Sequence, residues 1–137
     1  MIIINVAVGS SEDKIKLSQE ENEMSNSVIR NQRYKSNFIE VEQKRLDKIL
    51  EPFELNKIDY IKSNIEGAEI ELLRGLSNSL LEINNWCIGC HDFKGEDYKS
   101  YDFVLSWLQN SNYEISNYEP YNQKKIWRNY YLYGSKK

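Results

Sequence analysis

Apolar and polar positions along the chain separate strands from helices. Ile2 to Val8 is almost wholly β-branched and closes on Gly9-Ser10-Ser11, which predicts a buried strand and a turn. Lys14-Ile15-Lys16-Leu17 alternates as a short, half-exposed strand, whereas Ser18 to Ser36 is polar, has few apolar anchors and reads as a flexible loop. Phe38 to Glu42 alternates again, and Leu46, Ile49, Leu50 and Phe53 then fall at helical spacing. Ile58 to Ile65 resumes strand character. From Glu66 the period turns helical, with Ile65, Leu72, Leu73, Leu76, Leu80 and Ile83 forming one apolar stripe. Trp86 to His91 predicts a buried strand, and Tyr101, Val104, Leu105 and Leu108 a helix stopped by Asn110-Ser111-Asn112. Tyr113 to Tyr118 and Ile126 to Tyr133 predict an antiparallel pair. This order predicts one α/β domain over residues 1–137, its sheet mostly parallel and ending in a C-terminal antiparallel hairpin. A first strand packed beside Ile58 to Ile65 would cover the apolar edge that this strand otherwise leaves open.

Composition narrows the function classes. The 137 residues are 40% hydrophobic, and 18 Lys and Arg stand against 21 Asp and Glu, a net charge of -3. That length suits a single folding unit. The charges are interspersed and mildly acidic, so neither nucleic acid nor an anionic membrane surface is an expected partner. The apolar start has no basic flank, and no run approaches a membrane span, which gives a cytoplasmic expectation. Cys87 and Cys90 form a C-x-x-C, but in a strand residues i and i+3 point to opposite faces. With one histidine in the chain, the pair reads as small buried hydrophobes rather than as a redox couple or metal site.

In doubly wound sheets ligands bind beyond the carboxyl ends of the strands. The segment Asp59 to Glu69 places Asn64, Glu66 and Glu69 where a strand hands over to a helix, with Gly67 permitting a tight turn. Two carboxylates and an amide converge there. Glu66 and Glu69 also suit a first helical turn for local electrostatic reasons, so the spacing alone leaves a capping role open beside a site role. His91 ends a strand at the expected crevice rim and reads equally as a ligand contact or as a hydrogen-bonded structural residue. Lys62 is placed to pair with Glu66 or Glu69, or to snorkel at the strand end. Trp86, Trp107 and Trp127 read as packing residues.

Lys62-Ser63-Asn64-Ile65-Glu66-Gly67-Ala68-Glu69, followed by Leu72-Leu73-Arg74-Gly75, resembles the signature K-I-D-x-E-G-x-E-x-x-x-L-x-G of the FkbM-type methyltransferases. These are class I enzymes that use S-adenosylmethionine. Asn5 to Gly9 is similar to the family's N-x-A-L-G strand, Val41 through Leu50 to the segment preceding the signature, and Ile88 to His91 to the next strand's E-x-H ending. The resemblance runs from residue 2 to about residue 115. It implies a truncated class I methyltransferase sheet of Rossmann-like type, whose family order is 3-2-1-4-5-7-6, and identifies this chain with the C-terminal portion: strands 3, 4, 5, 6 and 7. It also implies S-adenosylmethionine as cofactor.

Two substitutions mark the site. Where the signature has Asp this chain has Asn64, which can orient a hydroxyl or hold a cofactor group but cannot serve as a general base. Where the family's later strand has an acidic residue, Cys90 stands instead. The six glycines, at 9, 67, 75, 89, 95 and 134, form no G-x-G or G-x-x-G loop of the kind that approaches the cofactor in class I enzymes. A homodimer or a complementing N-terminal chain is therefore an expected partner, beside a small-molecule or glycan acceptor.

Two functions follow. One is O-methylation by an FkbM-type methyltransferase, with Glu66, Glu69 and His91 as catalytic residues, Asn64 as the cofactor contact, and activity that depends on a fuller assembly. The other is a catalytically silent α/β module kept for binding or assembly.

Overall fold

The structure is a computed structural model and describes residues 1–19, 37–77, 79–117 and 130–137. Its strands are β1 (Ala7–Val8), β2 (Asp13–Gln19), β3 (Asn37–Lys44), β4 (Lys57–Ser63), β5 (Glu82–Gly89), β6 (Tyr113–Asn117) and β7 (Tyr131–Lys136). Its helices are α1 (Leu46–Leu50), α2 (Glu69–Gly75) and α3 (Tyr101–Asn110), with 3-10 turns at Glu51–Phe53, Asp92–Lys94 and Glu96–Tyr98. None of them is long and apolar enough to cross a membrane.

Two small sheets form. The first has the order β1-β3-β2 and the second β4-β5-β7-β6. The second reproduces the 4-5-7-6 half of the order implied by the resemblance. β5 lies inside its sheet and carries Ile83, Trp86 and Ile88 into the core, where Cys90 follows just after the strand. Leu72, Leu73 and Leu76 from α2 and Val104 and Leu108 from α3 pack there, joined by Tyr113 and Leu132. The Tyr113 hydroxyl donates to the Ile83 carbonyl at 2.6 Å, so its ring is buried without stranding its polar end. Asn112, at φ 65°, ends α3 in the left-handed conformation that short amide side chains tolerate.

Several expectations are corrected. The sheet is not mostly parallel: among the described residues only β1–β3 and β4–β5 pair parallel, whereas β2–β3, β5–β7 and β6–β7 are antiparallel. The first strand shrinks to Ala7–Val8 and leaves Met1 to Ile4 exposed. It also lies beside β3, not beside β4, whose outer edge stays open among the described residues. The cause is docking. Gly9 presses its carbonyl against Gly75 at the end of α2, and the Ser10 hydroxyl donates to Glu71 in the same helix. That bond holds the Glu71 carboxyl below its ordinary range. Leu80 leaves the apolar stripe and is 99% exposed, because α2 ends before it.

The remaining expectations meet the described residues unevenly. Ser18 belongs to β2, while residues 20–36 of the expected loop lie outside the described residues. So do residues 118–129, including Trp127 and the start of the expected last strand, which among the described residues runs over Tyr131–Lys136. Trp86 is buried and meets Trp107 edge-on at 5.9 Å, a packing role for both.

Gly75 fixes how closely the small sheet approaches α2, since a Cβ there would fall well inside contact distance of the Gly9 backbone oxygen. Backbone cannot swing aside as a side chain can. Gly75→Ala is expected to destabilise the fold by about 1–3 kcal/mol through overpacking. A urea denaturation midpoint equal to that of the parent would contradict this.

Candidate functional site

The site forms where β4 and β5 end and α2 begins. After Ser63 and Asn64 the backbone turns through Glu66 at φ 54° and Gly67 at φ 99°, and the Ala68 amide closes the turn onto the Ile65 carbonyl at 3.2 Å. Positive φ at both central residues is the pattern of a type I′ turn. Gly67 adopts it freely. Glu66 does so at a cost of about 1–2 kcal/mol, so surrounding contacts must hold it there.

Those contacts converge on Glu69. Its side chain is fully buried, and Oε1 accepts from the Gly67 amide at 3.2 Å and lies 2.8 Å from His91 Nδ1. Oε2 accepts from the Ser100 hydroxyl at 3.0 Å. One carboxylate thus ties the turn, the end of β5 and the entry to α3. His91, itself buried, presents Nε2 to Glu66 Oε1 at 3.3 Å, and Lys94 pairs with the other Glu66 oxygen.

Asn64 is exposed at the end of β4, and its Oδ1 accepts from the Tyr131 hydroxyl at 3.1 Å. Cys90 is 1% exposed, and burial pushes its thiol up to about 12, with the nearby Glu69 and Asp92 carboxylates adding to the effect of burial. Cys87 is also buried and unpaired in any disulfide. No group of three or more His, Cys, Asp or Glu among the described residues is arranged to hold a metal ion.

The structure therefore brings Glu66, Glu69 and His91 into one chain of contacts and sets Asn64 on the same strand end. Lys62 is exposed and does not take the suggested pairing: Glu66 meets Lys94 and Glu69 meets His91. Sequence reasoning missed Lys94, Ser100, Asp92 and Tyr131. Ser100 stands immediately before α3, a usual capping position, but its hydroxyl turns to Glu69. The Asp92 carboxylate instead accepts from the Ser100 and Tyr101 amides, each at 3.1 Å. Lys94 and Tyr131 lie outside any periodic pattern that would have marked them. Ser63 Oγ is buried without a partner among the described residues, at a position where the signature is apolar.

In open α/β sheets ligands bind beyond the carboxyl ends of the parallel strands, which is where this strand-turn-helix junction lies. The chain matches the methyltransferase FkbM domain over residues 2–115 and belongs to that family. No curated protein and no solved structure matches it.

Glu69 is the group whose removal should be felt most. Glu69→Ala leaves His91, Ser100 and the Gly67 amide without their shared acceptor and is expected to cost about 3–5 kcal/mol, the range for breaking a buried charged pair. Chemical denaturation measures it. A loss under about 1 kcal/mol, the worth of a single ordinary hydrogen bond, would show that the network is not structural.

Proposed function

We propose that this chain takes part in methyl transfer from S-adenosylmethionine to an oxygen of a small molecule or glycan. One observation carries the reading: in a chain of the FkbM family, the signature residues Asn64, Glu66 and Glu69 come together with His91 at the ends of the paired strands β4 and β5. The residues fit the polar flank of a cofactor site, with an exposed amide at Asn64 and no cradle of closely spaced glycines. When bound, the cofactor supplies an electrophilic methyl group.

The chain's own residues then have distinct work. Glu66, partly accessible at 13% of its side chain, takes the acceptor's hydroxyl proton. Lys94 and His91 hold its carboxylate in place in the resting site. Glu69 cannot reach an acceptor, because it is fully buried behind His91, and serves as a positioning residue through Nδ1. Asn64 holds a polar group of the cofactor. The open outer edge of β4 supports completion of the sheet by a further strand, from a second copy or a complementing chain. The neutral Asn64 and Cys90 favour the second reading, a silent binding module.

Mutation at Glu66 separates the two. In an assembly that transfers methyl groups, Glu66→Gln should lower the rate by roughly 100-fold or more if it is the base. A rate equal to the parent's removes it from that role.

Cofactor affinity of the chain alone is expected to be low, since no glycine loop and no ribose-binding carboxylate are at hand. A complete site filled at 100 times its dissociation constant would add about 2.7 kcal/mol of stability. In a thermal melt with millimolar S-adenosylmethionine the shift should stay below roughly 5 °C. A larger shift, abolished by a competitor, would show that the chain holds a whole cofactor site.

A further inference from the structure

Asn64 and Tyr131 meet across the end of β5. The phenol donates to Asn64 Oδ1 at 3.1 Å, and the strand between them contributes Gly89. A Cβ at that glycine would stand 2.8 Å from Asn64 Oδ1 and 3.0 Å from Tyr131 Cζ. Any other residue would force the pair apart. With Oδ1 occupied, the amide turns its Nδ2 away from Tyr131, at the exposed strand end, where no described residue accepts from it. Burial, followed by the Cys87 thiol and the Glu66 carboxylate, holds the Tyr131 phenol above its ordinary value, so it keeps the proton it donates. Two residues along stands Glu66, whose ionised carboxylate can only accept.

We propose that Tyr131 is a positioning residue that sets Asn64 to donate, so that Asn64 and Glu66 together select a ligand hydroxyl over an ammonium group. A hydroxyl is the group that fits both: its oxygen accepts from Asn64 Nδ2 and its proton goes to Glu66. An ammonium group has only donors and meets the Nδ2 protons head-on. An aspartate at position 64 would reverse this preference, because two carboxylates side by side favour a cation. The selection rests on the site proposed above only for whose hydroxyl is held, the methyl acceptor's or the cofactor ribose's.

The test follows the Asn64 side-chain amide by NMR in the ¹⁵N-labelled chain, its signals identified by their loss in Asn64→Asp. Glycerol, adenosine and methylammonium chloride are the probes. Glycerol or adenosine should shift the signals and methylammonium should not. A response to glycerol alone assigns the hydroxyl to the acceptor, and a response to adenosine alone assigns it to the ribose. Tyr131→Phe, which removes one oxygen and keeps the ring, should weaken that response by about tenfold, the worth of one hydrogen bond that fixes the amide. Asn64→Asp, followed through the Gly67 backbone amide, should lose the hydroxyl response and gain one to methylammonium. No response to either hydroxyl probe, a methylammonium response in the parent, or an undiminished response in Tyr131→Phe would overturn the proposal. Methyl-transfer assays on an assembly in which a further strand completes the β4 edge separate the two ideas. The expected pattern without transfer refutes the methyl-transfer reading alone, and transfer without the pattern refutes this one alone.

Discussion

The buried Glu69 carboxylate is the constraint around which the site is built. A fully desolvated charge is tolerated only when its oxygens are hydrogen-bonded, and here donors come from three separate segments. The Gly67 amide belongs to the turn after β4, His91 follows β5, and Ser100 precedes α3. Satisfying one carboxylate therefore aligns the ends of two strands and the start of a helix. The strained backbone of Glu66 is a by-product of that alignment: the turn that lets Gly67 point its amide at Glu69 also carries Glu66 to His91 Nε2.

Packing then decides what surrounds this anchor. α2 has a core face of Leu72, Leu73 and Leu76 toward β5 and α3, and its end meets Gly9 through Gly75. The backbone-to-backbone approach leaves the small sheet no freedom to move inward over β4. The first strand therefore stays with β3, and four apolar residues at the start of the chain remain in solvent.

Much of this was legible in the sequence, in proportion to how local the physics is. β4, β5 and α3 were read because period and apolar runs report burial directly, and Asn64, Glu66, Glu69 and His91 were singled out because they sit where a strand ends. The length of β1 was misread, since a β-branched run states a preference for strand but says nothing of a neighbour to pair with. Leu80 fitted a helical stripe that the helix does not last long enough to use. Lys94, Ser100 and Tyr131 reach the site across 28 residues or more of chain, and no spacing rule extends that far.

The neutral residues Asn64 and Cys90 make sense as one electrostatic adjustment. The described site already has two carboxylates, Glu66 and Glu69, with the His91 ring between them and the Lys94 ammonium on Glu66. An acid at position 90 would be 1% exposed and would stand near Glu69 and Asp92, the same carboxylates that already make the Cys90 thiol harder to ionise. A second buried charge of the same sign with no cation to meet it is costly, and a neutral thiol avoids that cost. At position 64 an acid would add a third negative group to the exposed strand end, beside Glu66. An amide held by Tyr131 presents a donor there instead. The result is a strand end that joins one acceptor to one donor, a pairing suited to neutral polar groups rather than to cations.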